Sequence, residues 1–277
     1  MSLRLGFSIF IKEAVLFGLT LALGLYAAHY YFYFGSFLGE EAIRFTLTDL
    51  IVLLIFFGVI FFIARHKRIA HFSFKLFLVL IVFSGAQVVF GTFLSSPWDL
   101  VLAVLFAVIF YKGGNVLFHN LGIIFGIGGI GAVFGLSISA EVGLILLVTL
   151  SLYDIIAVYV TKHMITMARS MLESGAVFGF LIPFEFKGFF YDKNQAKAKV
   201  GENFMVLGSG DIGLPLIFVS SLVRTSLTSA IITAIFSLLG LFLTHILFIN
   251  QGQRRAMAAL PPIATMTIIG YLVALLV

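Results

Sequence analysis

The sequence predicts an all-α polytopic membrane protein with nine spanning helices, its N-terminus cytoplasmic and its C-terminus outside. Three observations predict it. Of 277 residues, 61% are hydrophobic and 10% charged, with a mean hydropathy of +1.17, so polar groups cannot cover the surface in water. Apolar runs of about 20 residues, the length a bilayer requires, recur from one end of the chain to the other. Lysine and arginine then fall almost entirely on one side of the resulting topology.

The first span, about 7–28, carries Lys12 and Glu13 and is followed by no small-residue cleavage site, so it reads as a retained helix and not a signal peptide. The second and third fall at about 47–64 and 73–94. Between them RHKR at 65–68 is a basic anchor for anionic lipid. The fourth, about 98–111, is short. Ser95, Ser96 and Pro97 open it beside the single Trp98, an interfacial anchor, and Lys112-Gly113-Gly114-Asn115 stops it. The fifth and sixth cover about 117–139 and 141–162. A connection, 163–203, follows. It holds an amphipathic stretch (HMITMARSMLES), an aromatic and glycine-rich stretch (FGFLIPFEFKGFFY) suited to strands, and the basic DKNQAKAKVGE. The last three spans lie at about 204–223, 226–249 and 256–277. No soluble domain or repeat interrupts this order, and residues 1–277 read as one membrane domain.

Loop charge tests the short fourth span. With nine spans, fifteen of the 17 Lys and Arg residues lie on the side of the N-terminus and two, Arg44 and Arg224, on the other; without the fourth span the split is seven against ten. The positive-inside rule therefore selects nine. The same distribution explains the net charge of +5 as membrane orientation, with lipid and not nucleic acid as the basic residues' partner. The absence of cysteine excludes disulfides, thiolate metal sites and cysteine nucleophiles. The six histidines are scattered and read as interfacial, with no metal site. GIGGIG at 126–131 matches a dinucleotide-binding pattern but sits inside an apolar span, without the strand–turn–helix context that pattern needs. Its glycines read as helix-packing residues, and no cofactor is expected.

Two carboxylates remain. Asp154 interrupts SLYDIIAVYV in the sixth span, and Asp211 lies in NFMVLGSGDIGLPLIFVSS in the seventh; Glu13, Asp49 and Glu141 read as lying near span ends, within reach of water or head groups. Each aspartate is eight residues from the cytoplasmic end of its span, which at the helical rise puts both about 12 Å deep. Antiparallel neighbours would then bring them face to face. A charge at such depth costs at least about 2.5–3.5 kcal/mol, so two at one level point to chemistry. A close pair cannot readily ionise together and shares a proton. The ionised member can deprotonate water for attack on a peptide carbonyl while the protonated member donates to the carbonyl oxygen. Gly208, Gly210 and Gly213 clear side chains from around Asp211, and Pro215 removes a helical hydrogen bond one turn on.

Tyr153-Asp154 and Gly208-Ser209-Gly210-Asp211 resemble the YD and GxGD motifs of presenilin and signal peptide peptidase, most closely in the compact form of the archaeal homologues. The resemblance implies a nine-span intramembrane aspartyl protease, with Asp154 and Asp211 as the catalytic pair. It implies Tyr153 beside the active site, Gly208 and Gly210 shaping the loop, and a PAL motif at the last span. Here that motif is Ala258-Ala259-Leu260-Pro261, with Ala258 in place of the first proline, so that Ala259, Leu260 and Pro261 would position substrate. It further implies that the segment before GxGD pairs with extended substrate, for which 178–186 and 199–207 are the candidate strands. The substrates would be transmembrane peptides or signal-peptide remnants. The short connection argues for one uncut chain, with no obligate partner subunit. Two other readings compete: a proton- or cation-coupled transporter or channel, which would lead one to expect inverted repeats, and a prepilin-type peptidase, which carries its other aspartate earlier in the chain.

Overall fold

The computed structural model describes residues 3–34, 67–162, 175–198, 200, 203–251 and 257–276. The predicted second span, part of the RHKR cluster and the amphipathic stretch lie outside them. The described chain runs α1 (Leu3–Tyr33), α2 (Lys67–Gly91), α3 (Trp98–Lys112), α4 (Val116–Ser137) and α5 (Ala140–Ile155), the last extended by a π-helical turn, Ile156–Val160. Next come β1 (Gly179–Pro183), a 3₁₀ turn at Phe186–Phe190, the short α6 (Lys193–Ala198) and β2 (Phe204–Gly208). Three helices close the chain: α7 (Ser209–Leu222), α8 (Leu227–Ile249) and α9 (Leu260–Ala274).

Among the described residues five helices are long and apolar enough to cross a membrane, and α7 and α9 are shorter apolar helices. Their outward faces carry the large apolar side chains that water would not tolerate. On α3, Leu100, Val101, Val104, Leu105, Val108 and Ile109 are all exposed, as a lipid-facing helix requires.

The helix at the centre is α4, packed by α1, α2 and α7. Its glycines set how near these neighbours come. A Cβ on Gly126 or Gly129 would press into the α2 backbone at Val82 or Gly85, and one on Gly131 would meet Leu216 of α7 at 2.7 Å. Gly128 faces α1, where an added Cβ would lie 3.6 Å from the Thr20 carbonyl and the Gly24 nitrogen. The GIGGIG run thus serves three helix contacts, the use small residues have in lipid. A similar contact joins α8 to α9, where a Cβ on Gly240 would lie 2.6 Å from Cα of Ile263 and the hydroxyls of Ser237 and Thr267 bond at 2.8 Å.

Three sequence expectations need correction. The seventh span is not helical from residue 204: its first five residues form β2, and the helix starts at Ser209. Nor does Glu13 reach water or head groups. It is 3% exposed, with its Oε2 2.6 Å from Nδ1 of His245 on α8. The other ring nitrogen, Nε2, lies 2.9 Å from the Gly6 carbonyl and so donates to it. One proton shared between Glu13 and Nδ1 lets the pair stay buried while it ties α1 to α8. His119 and His245 are both buried and not interfacial.

Candidate active site

α5 packs against both α7 and α9, and this packing assembles the site. Asp154, near the C-terminus of α5, is 5% exposed. Its Oδ2 accepts a hydrogen bond of 3.3 Å from the backbone N–H of Leu260, the first residue of α9. That N–H is one of the orphan donors of a helix start, where a carboxylate also meets the positive end of the helix dipole. The next two residues, Pro261 and Pro262, bring no N–H of their own. Residues 260–262 therefore leave one backbone donor, and Asp154 takes it. Directly after Asp154 the helix widens into the π-helical turn, a distortion frequent at functional sites.

Asp211 occupies the first turn of α7 and is 8% exposed. Its carboxylate accepts from the backbone N–H of Gly208, the residue that caps α7, and interacts electrostatically with Asp154. A carboxylate three residues into a helix reaching back to the capping residue's N–H is half of a capping box. A Cβ on Gly208 would lie 3.1 Å from Asp211 Oδ2, whereas one on Gly210 would meet nothing within 4 Å. Gly210 therefore opens space beside the carboxylate. Pro215 has no N–H to give to the carbonyl four residues back, which is that of Asp211.

The strands lead straight into this turn. β1 and β2 pair antiparallel in the register Gly179↔Gly208 to Pro183↔Phe204. Bonds from Ser209 N–H to the Phe178 carbonyl and from Phe184 N–H to the Asn203 carbonyl fix the phase of the ladder. Phe180 and Ile182 therefore bond inward to Leu207 and Met205, and Gly179, Leu181 and Pro183 turn their polar groups to the outer edge of β1. Side chains occupy that edge. Asn120 donates to the Leu181 carbonyl at 2.8 Å and accepts from its N–H at 2.9 Å. His119 Nε2 donates to the Gly179 carbonyl at 3.0 Å. Lys12 donates to the Pro183 and Phe184 carbonyls at 3.0 and 2.7 Å. On the far edge of β2, Phe204 is bridged by Val200 and the Gly208 N–H serves Asp211. Among the described residues Val206 is left to present both its N–H and its C=O.

The remaining predicted residues fall around this core. Leu260 is 3% exposed, its side chain in the core. Ala259 packs partly buried against that core, and its carbonyl accepts from Thr244 of α8 at 3.3 Å. Pro261 is half-buried at the start of α9. Tyr153 is 57% exposed: the helical step of 100° per residue turns it off the face that buries Asp154.

A sequence profile described as signal-peptide peptidase, presenilin aspartyl protease matches residues 35–277. The chain belongs to this family. The protease is an intramembrane aspartic endopeptidase and an integral membrane protein. Its fold is that of a presenilin family intramembrane aspartate protease seen in two crystal forms. The C222 form matches with a TM-score of 0.60 at 22% identity, over 95% of each chain. The P2 form matches with a TM-score of 0.61 at 24% identity, over 95% of this chain and 96% of that one. No curated protein matches the chain.

Sequence reasoning missed the residues that hold the hairpin of this protease, Asn120, His119 and Lys12. A signal was present: adjacent His and Asn within an apolar span must bond to something there. Asn120→Ala is expected to orphan both polar groups of Leu181 in the core and to destabilise the protein by about 2–4 kcal/mol. Denaturant unfolding in micelles measures this, and a loss below about 0.5 kcal/mol, the size of an ordinary surface substitution, would show that the clamp is not needed.

Proposed function

We propose that Asp154 and Asp211 are the catalytic dyad and that substrate binds as a third strand on β2. The observation that carries this is the placing of two buried, interacting carboxylates at the end of a strand with one open edge. A transmembrane helix bonds all its backbone groups internally and must unwind before a protease can reach a peptide bond. Unwinding exposes donors and acceptors, and the N–H and C=O of Val206 satisfy two of them by strand addition. The scissile bond then lies beyond Gly208, beside Asp211, with Gly208 and Gly210 leaving room for its backbone and Tyr153 at the exposed approach. Leu260 holds Asp154 in place, and Ala259 and Pro261 flank the path.

The dyad shares one proton. The ionised carboxylate takes a proton from water as the water oxygen bonds to the scissile carbonyl carbon. The protonated one donates to the carbonyl oxygen, giving a neutral gem-diol. Return of a proton to the peptide nitrogen, with loss of a diol proton to the dyad, breaks the C–N bond and releases a carboxylic acid and an amine. No metal or cofactor takes part.

The arrangement we favour has nine spans with a cytoplasmic N-terminus, which puts cleavage toward the cytoplasmic half of the substrate. The chain acts uncut on transmembrane segments or signal-peptide remnants. No observation favours transport over proteolysis. The test uses purified protein in lipid vesicles and a labelled transmembrane peptide, with fragments read by mass spectrometry. Cleavage within the peptide's cytoplasmic half is expected. A protein inert toward several such peptides, yet moving protons across the vesicle wall, would overturn the reading.

A further inference from the structure

A cavity of about 310 Å³ lies where the first half of α2, the end of α3 and the start of α4 meet α6, and neither Asp154 nor Asp211 lines it. Lys75 and Lys193 both face it, with the Tyr111 side chain alongside, and Leu78, Val79 and Phe110 supply apolar wall. The Lys193 ammonium stands 5.9 Å over the Phe110 ring. Burial draws its pKa below the ordinary lysine value; Asp192 acts against that and the Lys75 charge adds to it. Two cations thus share one recess with, among the described residues, Asp192 as the neighbouring carboxylate, and an anion entering it would relieve their repulsion. The position also speaks for the ligand. Lys75 lies in the first half of α2 and Lys112 ends α3, so the recess opens where apolar helices give way to basic residues, the level of lipid head groups. Leu76 and Phe77, beside Lys75 on α2, are exposed apolar residues at this level of the helix.

We propose that this cavity binds a phosphate ester, carried by the headgroup of an anionic lipid whose chains lie along α2 and α3. Basic recesses between spanning helices are suited to such head groups, and lysine binds phosphate as a point charge. The site also adjoins the hairpin, because His119 lines the cavity and bonds to the Gly179 carbonyl of β1. Its assignment to the cytoplasmic leaflet rests on the orientation proposed above; binding itself does not.

Native mass spectrometry of protein delipidated in the presence of phosphatidylglycerol or phosphatidylcholine tests it, with no proteolysis in the readout. Wild type is expected to retain phosphatidylglycerol and release phosphatidylcholine. Retention should fall at least tenfold in Lys75→Gln/Lys193→Gln, and stay unchanged in Lys187→Gln, which removes an exposed charge from the same connection. Lys75→Arg/Lys193→Arg keeps both charges and should keep the lipid, which separates lost binding from lost folding. Competition by millimolar glycerol 3-phosphate would show that the phosphate ester alone is recognised; its failure, with the lipid retained, would show that the chains are needed too. Equal retention of both lipids, or of phosphatidylglycerol by the glutamine variant, would overturn the proposal.

Discussion

Asp154→Ala and Asp211→Ala are each expected to abolish cleavage, a loss of roughly 10⁴-fold, the upper range for a positioned acid or base. Each substitution removes half of a shared-proton pair, so water activation and carbonyl protonation fail together, and the double variant should be no worse than either single one. The two should differ in stability. Asp211 is buried beside another acid with one identified donor, the Gly208 N–H, so its removal relieves desolvation and repulsion and should leave folding intact. Asp154 also holds the start of α9, and its alanine variant orphans the Leu260 N–H, for about 1–3 kcal/mol. Peptide cleavage and thermal melting in micelles check both statements. A folded Asp211→Ala protein that still cuts would remove Asp211 from the chemistry. One that fails to fold would assign it a structural role, and Asp211→Asn, which keeps the shape, would then have to restore the fold without activity.

Val206→Pro is expected to stop cleavage by at least a hundredfold while the protein melts close to wild type. Leu207→Pro should instead damage the fold. Adjacent residues differ this much because of the ladder's phase: Leu207 pairs inward with Phe180, whereas Val206 sits opposite Leu181 with its own N–H turned outward. Proline deletes that N–H and is tolerated at an outer edge but not inside a ladder. Cleavage rate and melting temperature of the two variants separate the possibilities. Full activity of Val206→Pro would mean that substrate does not pair with this edge, and equal destabilisation by both would mean that the hairpin has another register.

Much of this site was legible in the sequence because a charge in an apolar run is conspicuous. Asp154 and Asp211 declared themselves, and the limits of α3 followed from Pro97 with Trp98 and from Lys112-Gly113. The strands were placed at 178–186 and 199–207 and occur at Gly179–Pro183 and Phe204–Gly208. What failed had a common cause. FMVLG is equally apolar as strand or helix, and hydropathy cannot separate the two in so short a run. Counting helical rise from Asn203 therefore misjudged the path to Asp211, although the two carboxyl groups do come within electrostatic reach. Glu13 was placed within reach of water or head groups because it lies near the end of its span; its partner, His245, lies on α8, and only the packing of α1 against α8 joins them. The π-helical turn after Asp154 has no sequence mark at all.

The sealing of β1 by Asn120, His119 and Lys12 also sets a valency. A free hairpin is a template that can grow from both sides, and inside a membrane, where every unwound segment seeks partners, such growth would not end. With one side plugged by side chains from α4 and α1, the ladder can accept a single further strand and then has no inner edge left to offer. On the proposed reading, the same three side chains that keep the scaffold in register limit it to one substrate strand at a time.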